Sequence, residues 1–137
     1  MTMMKLDVEL PPITMLADEY EKLRTLAEVA EDSHPQVADY LAREVERAVV
    51  VGKDTQPQNF VTMGSEVEFR DEVSGQVRRM TLVYPPDADV SQGKISVLTP
   101  IGAALIGLSV GQTIAWQTVS NERRRLTVLA VKQPAHA

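Results

Sequence analysis

The sequence contains no cysteine among its 137 residues. That excludes a disulfide scaffold, a thiolate metal site and a cysteine nucleophile, and it fits a reducing compartment. Histidine occurs twice, at His34 and His136. No third ligand stands at matching spacing, so no metal site is expected, and a Ser/His/Asp triad would need one of these two in a packed site. Long apolar runs are missing too. None approaches the roughly 18 residues of a membrane span. Lys5, Asp7 and Glu9 interrupt the start of the chain, so no signal-peptide core can be drawn there. A cytoplasmic location is the resulting expectation. Positive charge is in deficit: Lys plus Arg number 14 against 19 Asp plus Glu, a net charge of −5. Direct DNA binding should be weak or absent. The glycines at 102, 107 and 111 form neither a phosphate-binding loop nor a dinucleotide fingerprint. No nucleotide cofactor is expected, and nothing resembles a kinase.

What is present divides in two. Residues 1–59 hold six basic and twelve acidic side chains, whereas residues 60–137 hold eight basic and seven acidic ones. In the first part Tyr20, Leu23, Leu26, Ala27 and Ala30 fall on one helical stripe. Asp18, Glu19 and Glu21 stand where a helix dipole favours negative charge. Ser33 is placed to cap a second helix, with Pro35 in its first turn. That helix carries the stripe Val37, Leu41, Val45, Ala48 and Val49. Two such helices across a short loop make an antiparallel hairpin, each arm about 22 Å long. Pro11 to Thr14 allows only a short extended piece. The hairpin should fill residues 1–51, with a linker over 52–59 where Gly, Pro and polar residues show no periodicity.

Residues 60–137 read as strands, an α+β domain with an antiparallel sheet and one short helix. Phe60 to Met63 opens it, Ser65 to Phe69 alternates, and Gln76 to Tyr84 forms the next strand before Pro85 and Pro86 stop it. Lys94 to Leu98 is a third strand. Thr99 and Pro100 have the form of a helix cap and first helical residue, and Gly107 ends the helix. Gln112 to Gln117 and Leu126 to Lys132 complete the set. In the helix, steps of 100° put Ile101 and Leu105 together, towards the core. Ile106, with Leu108 and Ser109, is then the candidate for an exposed partner patch.

The stretch SVLTPIGAALIGLSVG, from Ser96 to Gly111, resembles the C-terminal domain of the Gre transcript-cleavage factors. There a strand ending in a Ser-Pro motif runs into a short helix and a glycine turn. Val61 to Val67 and Arg79 to Pro85 extend the likeness, and the acidic hairpin agrees by size and order. The resemblance implies an FKBP-like second domain and a short coiled coil as the first. It implies RNA polymerase as partner, gripped near Pro100 at the rim of the secondary channel, and an indirect effect on nucleoside diphosphate kinase levels. Gre factors hold a catalytic Mg²⁺ with acidic residues at the tip of a longer arm. Here the tip acids are Glu28, Glu31 and Asp32, on an arm too short to reach the catalytic centre, so competition with Gre factors without cleavage is expected. The alternative for these acids is a solvated loop.

Arg123, Arg124 and Arg125 form the densest basic run. They read either as charges that discourage sheet-to-sheet pairing or as a contact to an acidic partner surface. Arg78 and Arg79 lie on opposite faces of their strand, so only one joins that patch. An FKBP-like fold also raises prolyl isomerisation. Its aromatic pocket would have to come from Phe60, Phe69, Tyr84 and Trp116, which also suffice for a small core. A plain structural or oligomeric module is the remaining alternative.

Overall fold

The computed structural model describes residues 10–52, 59–118, 120 and 122–134. The N-terminal part begins with strand β1 (Thr14–Leu16), which runs straight into helix α1 (Ala17–Val29). Helix α2 (Pro35–Arg47) follows after a tight loop, and strand β2 (Val49–Val51) closes the unit by pairing in parallel with β1. Leu23 and Ala27 of α1 and Ala38, Leu41 and Val45 of α2 are buried. The small side chains let the two helices lie close together. Ser33 is not the cap. His34 holds that position with no side-chain cap, and the Ser33 hydroxyl instead lies 2.9 Å from His34 Nδ1. Val49 leaves the helical stripe, because the chain turns extended at Ala48 and β2 pairs with β1.

The second part is a five-stranded sheet in the order β5-β4-β3-β7-β6. Its strands are β3 (Glu66–Asp71), β4 (Val77–Val83), β5 (Lys94–Ser96), β6 (Thr113–Gln117) and β7 (Arg123–Lys132). Alternation is visible in β3, where Val67 and Phe69 are buried and their neighbours are not. The sheet is antiparallel except at β5, which runs parallel to β4. Pro85 and Pro86 cannot donate to a returning hairpin. The chain therefore crosses over through two 3-10 turns, Pro85–Asp87 and Val90–Gln92. Phe60 to Met63 is not a strand, since Phe60 makes only a single bridge, to Ser109. Strand β7 starts three residues earlier than the pattern suggested. Arg123, Arg124 and Arg125 pair with Gln117, Trp116 and Ala115 of β6, so the arginine run is strand rather than turn.

Helix α3 (Pro100–Leu105) sits between the two parts. The Thr99 hydroxyl accepts the Gly102 N–H at 3.1 Å and caps it, as read from the sequence. One buried cluster runs from Ile13, Met15, Leu23 and Leu41 through Leu105 and Ile106 to Leu126 and Val128. Residues 53–58, the body of the expected linker, lie outside the described residues.

Candidate functional site

The motif around Pro100 is built by close approach. A Cβ on Gly102 would stand 2.2 Å from the Ser96 carbonyl oxygen and 2.9 Å from Val97 Cα, so only glycine lets α3 lie down on β5. Gly107 has φ +84°, and a Cβ there would lie 2.9 Å from Ile13 Cβ. Its carbonyl accepts the Thr14 N–H at 3.0 Å, and its own N–H donates to the Val61 carbonyl at 3.0 Å. The end of α3 is thus the point at which the N-terminal strand, the sheet domain and the helix are joined.

That junction corrects the expected partner patch. Ile106 and Leu108 are both 0% exposed, as is Leu105. The sheet covers one side of the short helix, and the β1 segment around Ile13 covers the side that sequence reasoning left open. Ile101 is only half-buried. Ser109 is half-buried and its N–H is taken by Gln112 Oε1 at 2.9 Å. Pro100 remains accessible. It lines a cleft of about 370 Å³ between α2 and β6, with Val37, Tyr40 and Trp116. Burial raises the Tyr40 hydroxyl pKa well above its usual value, and the nearby Glu44 carboxylate adds to the rise.

The arginines separate by strand parity. Arg124 faces the concave side and pairs with Asp71 at 3.2 Å. Arg123 and Arg125 are exposed on the opposite face. Arg125 stands near Glu72, whose pKa is lowered first by the hydrogen bond from Thr127 and then by Arg70 and Arg125. Of Arg78 and Arg79, Arg78 lines the concave face, beside Phe69, Trp116 and Arg124, and Arg79 pairs with Glu68 at 3.5 Å on the other. Only two of the four aromatics, Phe69 and Trp116, line that concave cavity; Phe60 bridges Ser109 and Tyr84 borders α1.

The tip acids Glu28, Glu31 and Asp32 are all exposed. Among the described residues no cluster of three or more His, Cys, Asp or Glu stands together so as to hold a metal ion.

Sequence reasoning missed two acids at the base of the hairpin. Glu19 bridges the parts: its Oε2 accepts the Met63 N–H at 3.0 Å, while Oε1 is buried without a partner. Desolvation pushes its pKa up to about 7, against the Met63 hydrogen bond and the Lys22 charge, with Asp18 adding slightly to the rise. Tyr84 is pushed up to about 12 by burial and by Glu19. Glu44 is 1% exposed and pairs with Arg47 at 2.8 Å, and Arg47 in turn donates to the Pro11 carbonyl. The only signal in the sequence was that both acids lie close to apolar stripe positions.

Comparison with known proteins places this arrangement. The family model "Transcription elongation factor, GreA/GreB, C-term" matches residues 56–133. The chain belongs to the GreA/GreB family. Its relatives include the "Regulator of nucleoside diphosphate kinase" of Escherichia coli K12, 40% identical over 101 residues, which are 74% of each chain. They also include the transcription elongation factor GreA of Nitratidesulfovibrio vulgaris, 37% identical over 75 residues, or 55% of this chain and 47% of that one. A solved GreA/GreB elongation factor from Nitrosomonas europaea superimposes with a TM-score of 0.70 at 39% identity, covering 90% of this chain and 99% of that one. These relatives are named as regulators and elongation factors rather than enzymes. Among the described residues no helix is long and apolar enough to cross a membrane.

Proposed function

We propose that this chain is a cytoplasmic transcription regulator that binds bacterial RNA polymerase at the rim of the secondary channel. It competes there with Gre factors and does not stimulate transcript cleavage. The observation that carries the reading is the length of the arm. Each hairpin helix has 13 residues, about 20 Å at 1.5 Å per residue, so acids at the tip stop short of a distant catalytic centre. The contact is assigned to the sheet domain, which we take as an FKBP-like unit beginning near residue 60, with the hairpin as a short coiled-coil arm over residues 1–51. Pro100 and the exposed Arg123 and Arg125 are its accessible members. Ile106 and Leu108 support the contact from beneath as buried scaffold. Any effect on nucleoside diphosphate kinase levels then follows from altered transcription. Direct DNA contacts are weak in this reading, in keeping with the net charge of −5.

The test is co-purification with core RNA polymerase, with and without a competing Gre factor, together with transcript cleavage in stalled elongation complexes. The expected result is binding that a Gre factor displaces, with no cleavage above background. No binding at micromolar concentration overturns the reading, and robust cleavage overturns the assignment of an idle tip.

A further inference from the structure

The two edges of the sheet are protected to different degrees. β5 is three residues long, carries Lys94, and is bridged on its outer side by Asp89. Short length, a lysine and a covering segment are the usual means of closing an edge. β6 has none of them. Its five residues, Thr113–Gln117, include no charged side chain and no proline or glycine.

The register shows which backbone groups that edge leaves open. Thr118 N–H donates to the Glu122 carbonyl at 2.9 Å, and Val128 N–H donates to the Gln112 carbonyl at 3.0 Å. Even-numbered residues of β6 therefore face β7, and antiparallel alternation turns the N–H and C=O of Thr113, Ala115 and Gln117 outward. No residue outside the sheet, among those described, takes up these groups. The cleft of about 370 Å³ lies alongside, lined by Ala115 and Gln117 as well as Val37, Tyr40, Pro100 and Trp116. Trp116 Nε1 is buried with no acceptor among the described residues.

We propose that β6 is a strand-addition site for an extended segment of a partner protein in which acidic and apolar residues alternate. Backbone groups of the segment pair with Thr113, Ala115 and Gln117. Its apolar side chains enter the cleft between Trp116 and helix α2. Its acidic side chains fall on the opposite face, where Ala115 and Gln117 separate the added strand from Arg125 and Arg123. Ala115 is small enough for Arg125 to reach across it. The exposed arginines thus select negative charge on one face, and the cleft selects apolar side chains on the other.

The site shares Pro100, Arg123 and Arg125 with the proposed polymerase contact but does not depend on it, and its test contains no polymerase. The full chain is titrated with an end-blocked octapeptide of alternating glutamate and valine. Trp116 is the only tryptophan, so its fluorescence reports binding directly. Two further peptides carry N-methyl groups on one or the other alternate set of amides. Saturable binding is expected, with one N-methylated peptide weakened by at least about tenfold and the other unchanged, because only one set of amides faces β6. Arg125→Glu, a surface change that preserves the fold, is expected to weaken the glutamate peptide and to favour a lysine–valine counterpart. Absence of saturable binding at millimolar peptide overturns the proposal. So does equal binding of both N-methylated peptides, which would mean docking through side chains alone, and so does indifference to Arg125→Glu.

Discussion

Four glutamates of one hairpin lead two different lives. Glu28 and Glu31, at the tip, are exposed. Glu19 and Glu44, at the base, are fastened: one to the Met63 backbone across the junction, the other to Arg47, which also holds Pro11. The residue type is the same, and burial decides its use. At the tip a carboxylate is open to solvent or to a partner. At the base the hydrogen bond must offset desolvation. A short arm with a firmly tied base and a free tip presents the sheet domain in a fixed relation to the hairpin, which suits a factor that acts by occupying a site.

The largest effect is expected where base and sheet meet. Ile106→Glu places a carboxylate in a site that is 0% exposed. We expect a loss above about 4 kcal/mol, enough to unfold a marginal domain. Circular dichroism and a denaturant titration check this. A folded, soluble variant would show that the end of α3 is open and would restore it as a partner surface. Next comes Gly102→Ala, whose new methyl meets the Ser96 carbonyl oxygen at 2.2 Å. A shift of α3 should cost about 1–3 kcal/mol, read from the denaturant midpoint.

The Glu19 clamp gives a smaller, pH-dependent effect. Its carboxyl titrates near 7 in the folded chain against 4.5 in its ordinary state, because burial disfavours the charge. The folded protein therefore binds more protons than the unfolded chain between those values. The stabilisation is complete below pH 4.5 and is lost as pH rises through about 7. Glu19→Gln keeps an oxygen for the Met63 N–H and removes the titration. Melting temperatures of the two proteins from pH 5 to 8 should show the parent declining relative to the variant. Parallel curves would place Glu19 in water.

Much of this was legible in the sequence. Strand parity in Val67 and Phe69, and the Thr99–Pro100 start of α3, follow from local chemistry alone, and the structure has both. The glycines and the Thr99–Pro100 step, which stands where the Gre factors have Ser-Pro, carried the family. What was not legible depends on partners distant in sequence. Three-residue strands have no readable period, so the β1–β2 pairing, which joins Thr14 to Val49, left no trace. Local spacing puts Ile106 off the sheet-facing side of α3, and the Ile13 segment that covers that side lies more than ninety residues away in sequence. Glu19 fitted the helix-dipole rule, and that local sufficiency hid its role across the junction.

The smallest effect is expected at the tip. Glu31→Gln with Asp32→Asn alters exposed side chains that make no ion pair among those described. Stability should move by less than about 0.5 kcal/mol, as at other surface sites. If the sheet domain makes the polymerase contact, displacement of a Gre factor should also be unchanged. Arg123→Glu with Arg125→Glu, equally exposed, should reduce it while leaving the fold intact. The pair of variants separates the two regions by one measurement, the concentration of chain that halves Gre-stimulated cleavage. A rise with the arginine variant alone keeps activity on the sheet. A rise with the tip variant alone moves it to the free carboxylates, and the short arm then reaches further into the channel than its helices of 13 residues suggest.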